Sequence, residues 1–230
     1  MELSKRLSAV AALVNSCNTM ADIGTDHGYI PIYLVEQKKV CRAIAMDIGK
    51  GPLQRAREHV KLHCLDEYIE LRLSDGARGL AKGEVEEVVL AGMGGRLMMK
   101  IIGDSKELFH DLQGFVIQPQ SEYGFVRHFL EENGFTILKE DMVEEDGKYY
   151  PMMRVSSGTM RLEKDCLYEY GKYLLTEKNQ VLQEYLIKEY KNYEKIKSEL
   201  HQGTTPKQKQ RLVEVEQLIS LNQEAQGYFS

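Results

Sequence analysis

Met20-Ala21-Asp22-Ile23-Gly24-Thr25-Asp26-His27-Gly28-Tyr29-Ile30-Pro31 decides the fold. A short apolar run passes through a glycine-bearing turn into a helical stretch that begins near Pro31. Glycines at such a junction allow backbone angles that a side chain forbids, and they let a ligand approach the main chain closely. The spacing departs from the dinucleotide pattern G-x-G-x-x-G, because Asp26 stands where the second glycine would admit a pyrophosphate. A carboxylate there repels a diphosphate and tolerates a cationic sulfonium with its amino group. The loop therefore favours S-adenosyl-L-methionine (AdoMet) over a nicotinamide dinucleotide.

Outward from this loop the chain alternates between apolar runs and amphipathic stretches. Strands are predicted at Met20–Ile23, Ala43–Asp47, Ile69–Leu73, Val85–Ala91, Gly114–Gln118, Phe135–Met142 and Lys148–Val155. Helices are predicted at Pro31–Glu36, Pro52–Cys64, Arg96–Ile102 and Glu122–Asn133. Strand–helix alternation of this length implies an α/β fold with a mostly parallel sheet covered on both faces. The last two strands, joined by Glu144-Glu145-Asp146-Gly147, read as an antiparallel hairpin on the sheet edge.

Three further strand ends carry ligand-type residues. Asp47 closes the second strand, where an ionised carboxylate can accept both hydroxyls of a ribose. Ser74-Asp75-Gly76 follows the third and suits the exocyclic amine of an adenine, with the glycine leaving room for the ring. Ala91-Gly92-Met93-Gly94-Gly95 follows the fourth, beside the place expected for the methyl group. Ligands of parallel sheets bind outside the carboxyl ends of the strands, so these four ends converge on one site.

Composition sets the bounds. The 230 residues carry a net charge of −5 and 43% hydrophobic residues, ordinary for a globular protein. Residues 1–158 hold 19 Lys+Arg against 24 Asp+Glu, and the remainder is balanced at 11 against 11. This acidic first part argues against a dedicated nucleic-acid coat, while leaving a Lys-rich face open to the second. No run of about 20 apolar residues suggests a membrane span. Lys5-Arg6 before Leu7–Val14 superficially resembles a signal peptide, but Leu3, Leu7, Val10, Leu13 and Val14 fall at helical spacing, so a helix and a cytoplasmic location are expected. Cys17, Cys41, Cys64 and Cys166 show no framework spacing and read as reduced thiols. His59 and His63 share a helical face without a partner cluster, so no metal is expected.

After Ser156-Ser157-Gly158 the strand signal stops. Leu182, Tyr185, Leu186, Tyr193, Ile196 and Leu200 form one stripe, and Leu212, Val215, Leu218 and Ile219 another. Gly203-Thr204-Thr205-Pro206 separates them, with Thr205 as N-cap and Pro206 at the first helical position. Two domains follow from this: residues 1–158 as a Rossmann-like domain, and 159–230 as an all-α antiparallel coiled-coil hairpin.

These motifs resemble the class I, Rossmann-like AdoMet methyltransferases. Asp22-x-Gly24-x-Asp26-x-Gly28 is similar to their first motif, with Asp26 replacing its middle glycine. More narrowly, Asp22–Pro31, Ser74–Leu80, Ala91–Gly95 and Gln118-Pro119-Gln120 resemble the bacterial TrmK family over nearly the whole chain. The resemblance implies methylation of N1 of the adenine at tRNA position 22, with the helical domain helping to hold tRNA. It makes Asp22, Gly24, Thr25, His27, Gly28, Asp47, Ile48, Asp75, Gly76 and Gly92 the expected cofactor contacts. Asp26, Tyr29 and Met93 become the expected catalytic residues, with Tyr29 stacking on the target base and Asp26 or a carbonyl near Gly92 assisting electrostatically. Ring N1 carries a free lone pair once the base is unpaired or extruded, so no base is required to create the nucleophile. Gly92-Met93-Gly94-Gly95 replaces the Asn/Asp-Pro-Pro-aromatic tetrapeptide common where exocyclic amines are methylated, which fits ring-nitrogen chemistry better.

Three other readings stay open on residues alone. A methyltransferase for small molecules or proteins would keep the cofactor residues and use the hairpin to dimerise. A nicotinamide oxidoreductase is disfavoured by Asp26. A non-catalytic RNA-binding module would bind RNA regardless of AdoMet. No obligate protein partner is evident, so a monomer or weak dimer is expected.

Overall fold

The computed structural model describes residues 1–201 and 205–230. Gly203 and Thr204, read above as part of the break between the helices, lie outside the described residues. The chain divides into two compact units, Met1–Arg161 and Leu162–Ser230, a little beyond the break read at Gly158.

The first unit is built on seven strands: β1 (Cys17–Ile23), β2 (Val40–Asp47), β3 (Ile69–Leu73), β4 (Glu87–Met93), β5 (Gly114–Pro119), β6 (Phe135–Glu145) and β7 (Lys148–Ser157). Their order in the sheet is β3-β2-β1-β4-β5-β7-β6. β1 through β5 pair in parallel, and β7 pairs antiparallel to β5 and β6. The hairpin therefore forms the sheet edge, as its turn predicts, with β6 outermost. Asp146 and Gly147 both have positive φ, 52° and 76°, the geometry of a tight two-residue hairpin loop.

β5 is buried along its entire length, and β1 and β4 are buried over four successive residues. Both faces of these central strands are covered, which explains their near-continuous apolar reading. The covering helices are α1 (Lys5–Leu13), α2 (Tyr29–Glu36), α3 (Lys50–Leu62), α4 (Gly95–Asp104), α5 (Lys106–Asp111) and α6 (Tyr123–Glu132). The Leu7–Val14 stretch folds as the expected helix, with Val10, Ala11 and Leu13 buried. β4 starts later than the Val85–Ala91 span its apolar run predicts and runs to Met93, with a register shift against β5 between Ala91 and Met93. α5, a six-residue helix too short for a periodic signal, is not predicted.

Two charged pairs lie inside this unit. Arg154 forks onto Glu87, at 2.6 and 2.9 Å, and also donates to the Leu13 carbonyl. Arg127 meets Glu140 at 2.8 and 2.9 Å, with both side chains essentially inaccessible. The order of the strands reverses between β1 and β4, because β2 and β3 lie to one side and β5 to the other. Such a switch point leaves a crevice at the carboxyl ends.

In the second unit, α7 (Asp165–Tyr170) and α8 (Lys172–Thr176) precede the hairpin, and neither was read from sequence. They are short and broken at Gly171, whose φ is 96°. α9 (Gln180–Leu200) and α10 (Pro206–Gln226) run antiparallel, as shown by the pairs Lys197–Glu216 and Asn222–Glu189. Leu182, Leu186, Val215 and Ile219 are buried between them, as their stripes require. Thr205 and Gln208 close a capping box with Pro206 at the first helical position. Among the described residues, no helix is long and apolar enough to cross a membrane.

Candidate active site

The β1–α2 loop is shaped by its backbone. Gly24, His27 and Gly28 all have positive φ, at 80°, 65° and 71°. A β-carbon at Gly24 would fall 2.9 Å from Met93 Cε, so the glycine serves both its angle and the closeness of β4. His27 is the strained member, since it carries a side chain in the left-handed region. Its carbonyl accepts a hydrogen bond from His59 Nδ1 on α3, at 2.9 Å. His63, one turn later, bonds Glu36 instead, so the two histidines serve different partners.

At the switch point lies a cavity of about 300 Å³. Six of the residues singled out from sequence line it: Asp22, Gly24, Asp26, His27, Tyr29 and Gly92. The rings of His27, Tyr29 and His59 stack with centroids 5.1–5.2 Å apart, and His27 and Tyr29 of this cluster line the cavity. Asp22 is buried, and among the described residues no cation pairs with it. Burial pushes its carboxyl up to about 6; the Thr25 hydroxyl opposes that rise and the Asp47 charge adds to it. Asp26 is exposed and receives Arg55 Nε and Nη2 on its Oδ1, at 3.1 and 2.8 Å.

The remaining predicted residues stand outside this cavity. Thr25 is buried behind the loop, and Gly28 packs against Ala56. Met93 points back beneath Gly24. Asp47 lies at the end of β2, its Oδ1 accepting the Gly49 amide at 2.6 Å, and Ile48 beside it is 71% exposed. Asp75 and Gly76 line a separate, smaller recess with Arg78 and Ile101, where Asp75 pairs with Arg78 at 3.1 Å. The structure thus brings the β1 and β4 ends together and sets the β2 and β3 ends further along the same carboxyl edge.

Two wall residues escaped the sequence reading. Arg6 and Leu7 come from α1, whose apolar spacing was read only as a helix. Arg6 Nη1 donates to Gln118 Oε1 at 3.0 Å, and its guanidinium lies 5.5 Å from the Tyr150 ring centroid. Gln120, quoted above only within a motif, lines the same cavity.

Known proteins resemble this chain. Residues 3–153 match the family described as "Methyltransferase domain". The tRNA (adenine(22)-N(1))-methyltransferase of Bacillus subtilis is 31% identical, over 97% of each chain. The chain belongs to this methyltransferase family. Streptococcus pneumoniae Sp1610, solved with S-adenosyl-L-methionine, is 32% identical with a TM-score of 0.85, covering 97% of this chain and 99% of that one. Mycoplasma capricolum TrmK, solved with S-adenosyl-homocysteine, is 26% identical with a TM-score of 0.87 over all of both chains.

The donor set here fits such a ligand. Asp22 is a buried carboxylate with no cation beside it among the described residues, Gly24 keeps its approach open, and Asp47 retains a second carboxylate oxygen at the strand end. A sulfonium nucleoside with an ammonium and a ribose matches those groups in charge and hydrogen-bonding sense.

Proposed function

We propose that this chain transfers a methyl group from AdoMet to N1 of the adenine at position 22 of tRNA. The observation that carries the reading is the buried Asp22, with no cation beside it among the described residues, facing a cavity at the switch point in a chain that matches the B. subtilis tRNA enzyme over 97% of its length. Asp22, Gly24, Thr25, His27, Gly28 and Gly92 would hold the methionine end of the cofactor, Asp47 and Ile48 the ribose, and Asp75 and Gly76 the adenine. When bound, AdoMet supplies an electrophilic methyl group on a positively charged sulfur.

The protein's own part is chiefly placement. Tyr29 opens α2 with its ring in the cavity wall, where it offers a flat face to an extruded base. His27 and His59 stack beside it and restrict its tilt. Arg55 fixes the Asp26 carboxylate at the rim, where its second oxygen is free to favour the positive charge that N1-methyladenine acquires. Met93, tucked under Gly24, sets the floor of the loop. The helical unit Leu162–Ser230 would supply the tRNA contact, because the first unit is acidic overall. The enzyme would act in the cytoplasm, where tRNA is modified.

The test is incubation with labelled AdoMet and two unmodified tRNAs that differ only at position 22. Label in 1-methyladenosine from the adenine-22 tRNA, and none from the guanine-22 tRNA, is expected. Equal labelling of both would overturn the position, and labelling of small metabolites alone would overturn the substrate class.

A further inference from the structure

Two glutamines flank Pro119, and their surroundings differ. Gln118 is fully buried and its amide is bonded at both atoms: Nε2 donates to the Pro119 carbonyl at 2.8 Å, and Oε1 accepts from Arg6. Gln120 is exposed to the cavity, and among the described residues its side-chain amide makes no hydrogen bond. Its main chain is nonetheless tied at both ends. Gln120 N donates to the Met93 carbonyl at 3.0 Å, and Tyr123 Oη donates to the Gln120 carbonyl at 3.3 Å. Its backbone is thus held in place while its amide is left available to a ligand.

Its neighbours narrow what it recognises. A β-carbon on Gly92 would lie 3.4 Å from Arg6 Nη1 and 3.7 Å from Gln120 Nε2, so both groups stand over the same glycine. Arg6 offers donors only. Gln120, beside it, offers both an acceptor and a donor. Adenine presents a donor, N6–H, beside an acceptor, N7, on its Hoogsteen edge, and a glutamine amide matches this pair in two parallel hydrogen bonds. Guanine presents two acceptors there, O6 and N7. The Hoogsteen edge stays free to be read while N1 itself is the reacting atom.

We infer that Gln120 is the specificity-determining residue for the target base, its amide accepting from N6–H and donating to N7 of the extruded adenine. This rests on the proposed tRNA substrate and adds to it the group that selects adenine.

The test pairs substitutions in protein and RNA. Wild-type, Gln120→Ala and Gln120→Glu proteins are assayed for kcat/KM on tRNA carrying adenine or 7-deazaadenine at position 22. With wild-type protein, removing N7 should lower kcat/KM several-fold, and Gln120→Ala should lower it roughly 5- to 150-fold on ordinary tRNA. The two losses should not multiply: 7-deazaadenine should cost the Gln120→Ala protein almost nothing further. Gln120→Glu keeps the acceptor but sets a carboxylate against the N7 lone pair, so on ordinary tRNA it should lose at least as much as removing N7 costs the wild-type protein. AdoMet affinity should be unchanged in Gln120→Ala. Fully multiplicative losses, or a Gln120→Ala protein as active as wild type, would overturn the role of Gln120 alone. Absence of methyl transfer by the wild-type protein to adenine-22 tRNA would instead overturn the substrate reading.

Discussion

Glu87 and Asp22 are buried carboxylates on neighbouring strands of one parallel sheet, and their fates differ. At the start of β4, Glu87 receives a forked guanidinium from Arg154. At the end of β1, Asp22 has the Thr25 hydroxyl beside it and, among the described residues, no cation. A buried charge left without a partner costs stability unless a ligand completes it. The amino end of the central strands is thus settled within the chain, and the carboxyl end is arranged for something from outside.

This contrast breaks most sharply at Glu87. Glu87→Gln strands the buried Arg154 charge and should cost about 3–5 kcal/mol in denaturant unfolding, with AdoMet affinity of the folded protein unchanged. A loss below about 1 kcal/mol would remove the pair's structural role. On the ligand side, Asp47→Ala should weaken AdoMet binding by roughly 10- to 150-fold in calorimetry, since a charge-assisted hydrogen bond is worth about 1.5–3 kcal/mol. An unaltered dissociation constant would detach Asp47 from the site. Tyr29→Ala should leave AdoMet binding intact while lowering methyl transfer roughly 5- to 150-fold, the worth of one base–aromatic stack. Equal loss of binding and turnover would make Tyr29 a packing residue.

The last effect concerns pH. The folded Asp22 carboxyl titrates near 6, above its ordinary 3.8, so the folded state holds more protons between those values. Stability should therefore fall as pH rises through that window, by about 2–3 kcal/mol. Asp22→Asn should flatten that slope in thermal scans across pH 4–7. AdoMet, which favours the ionised carboxylate, should bind about tenfold more weakly at pH 5 than at pH 7.

The fold was legible because its signals are local. The Asp22–Pro31 loop, the strand-end acids and the Asp146-Gly147 turn each announce themselves within a few residues. Elements bounded by longer-range packing were not: α5, α7 and α8 are too short to show a period. The site divides the same way. Asp22, Gly24 and Tyr29 sit within one motif, whereas Arg6 reaches the cavity only because α1 folds back over β5 to meet Gln118. His59 carried a helical-face signal that suggested at most a ligand pair, and its partner proved to be the backbone of His27. Neither contact leaves a mark in spacing.

One titration bears most directly on Asp22 as the carboxylate awaiting a cation. AdoMet is titrated calorimetrically at pH 6 in two buffers of different ionisation enthalpy. Release of about half a proton per site, abolished in Asp22→Asn, is the predicted result. Heats that are identical in both buffers for the wild-type protein would contradict it.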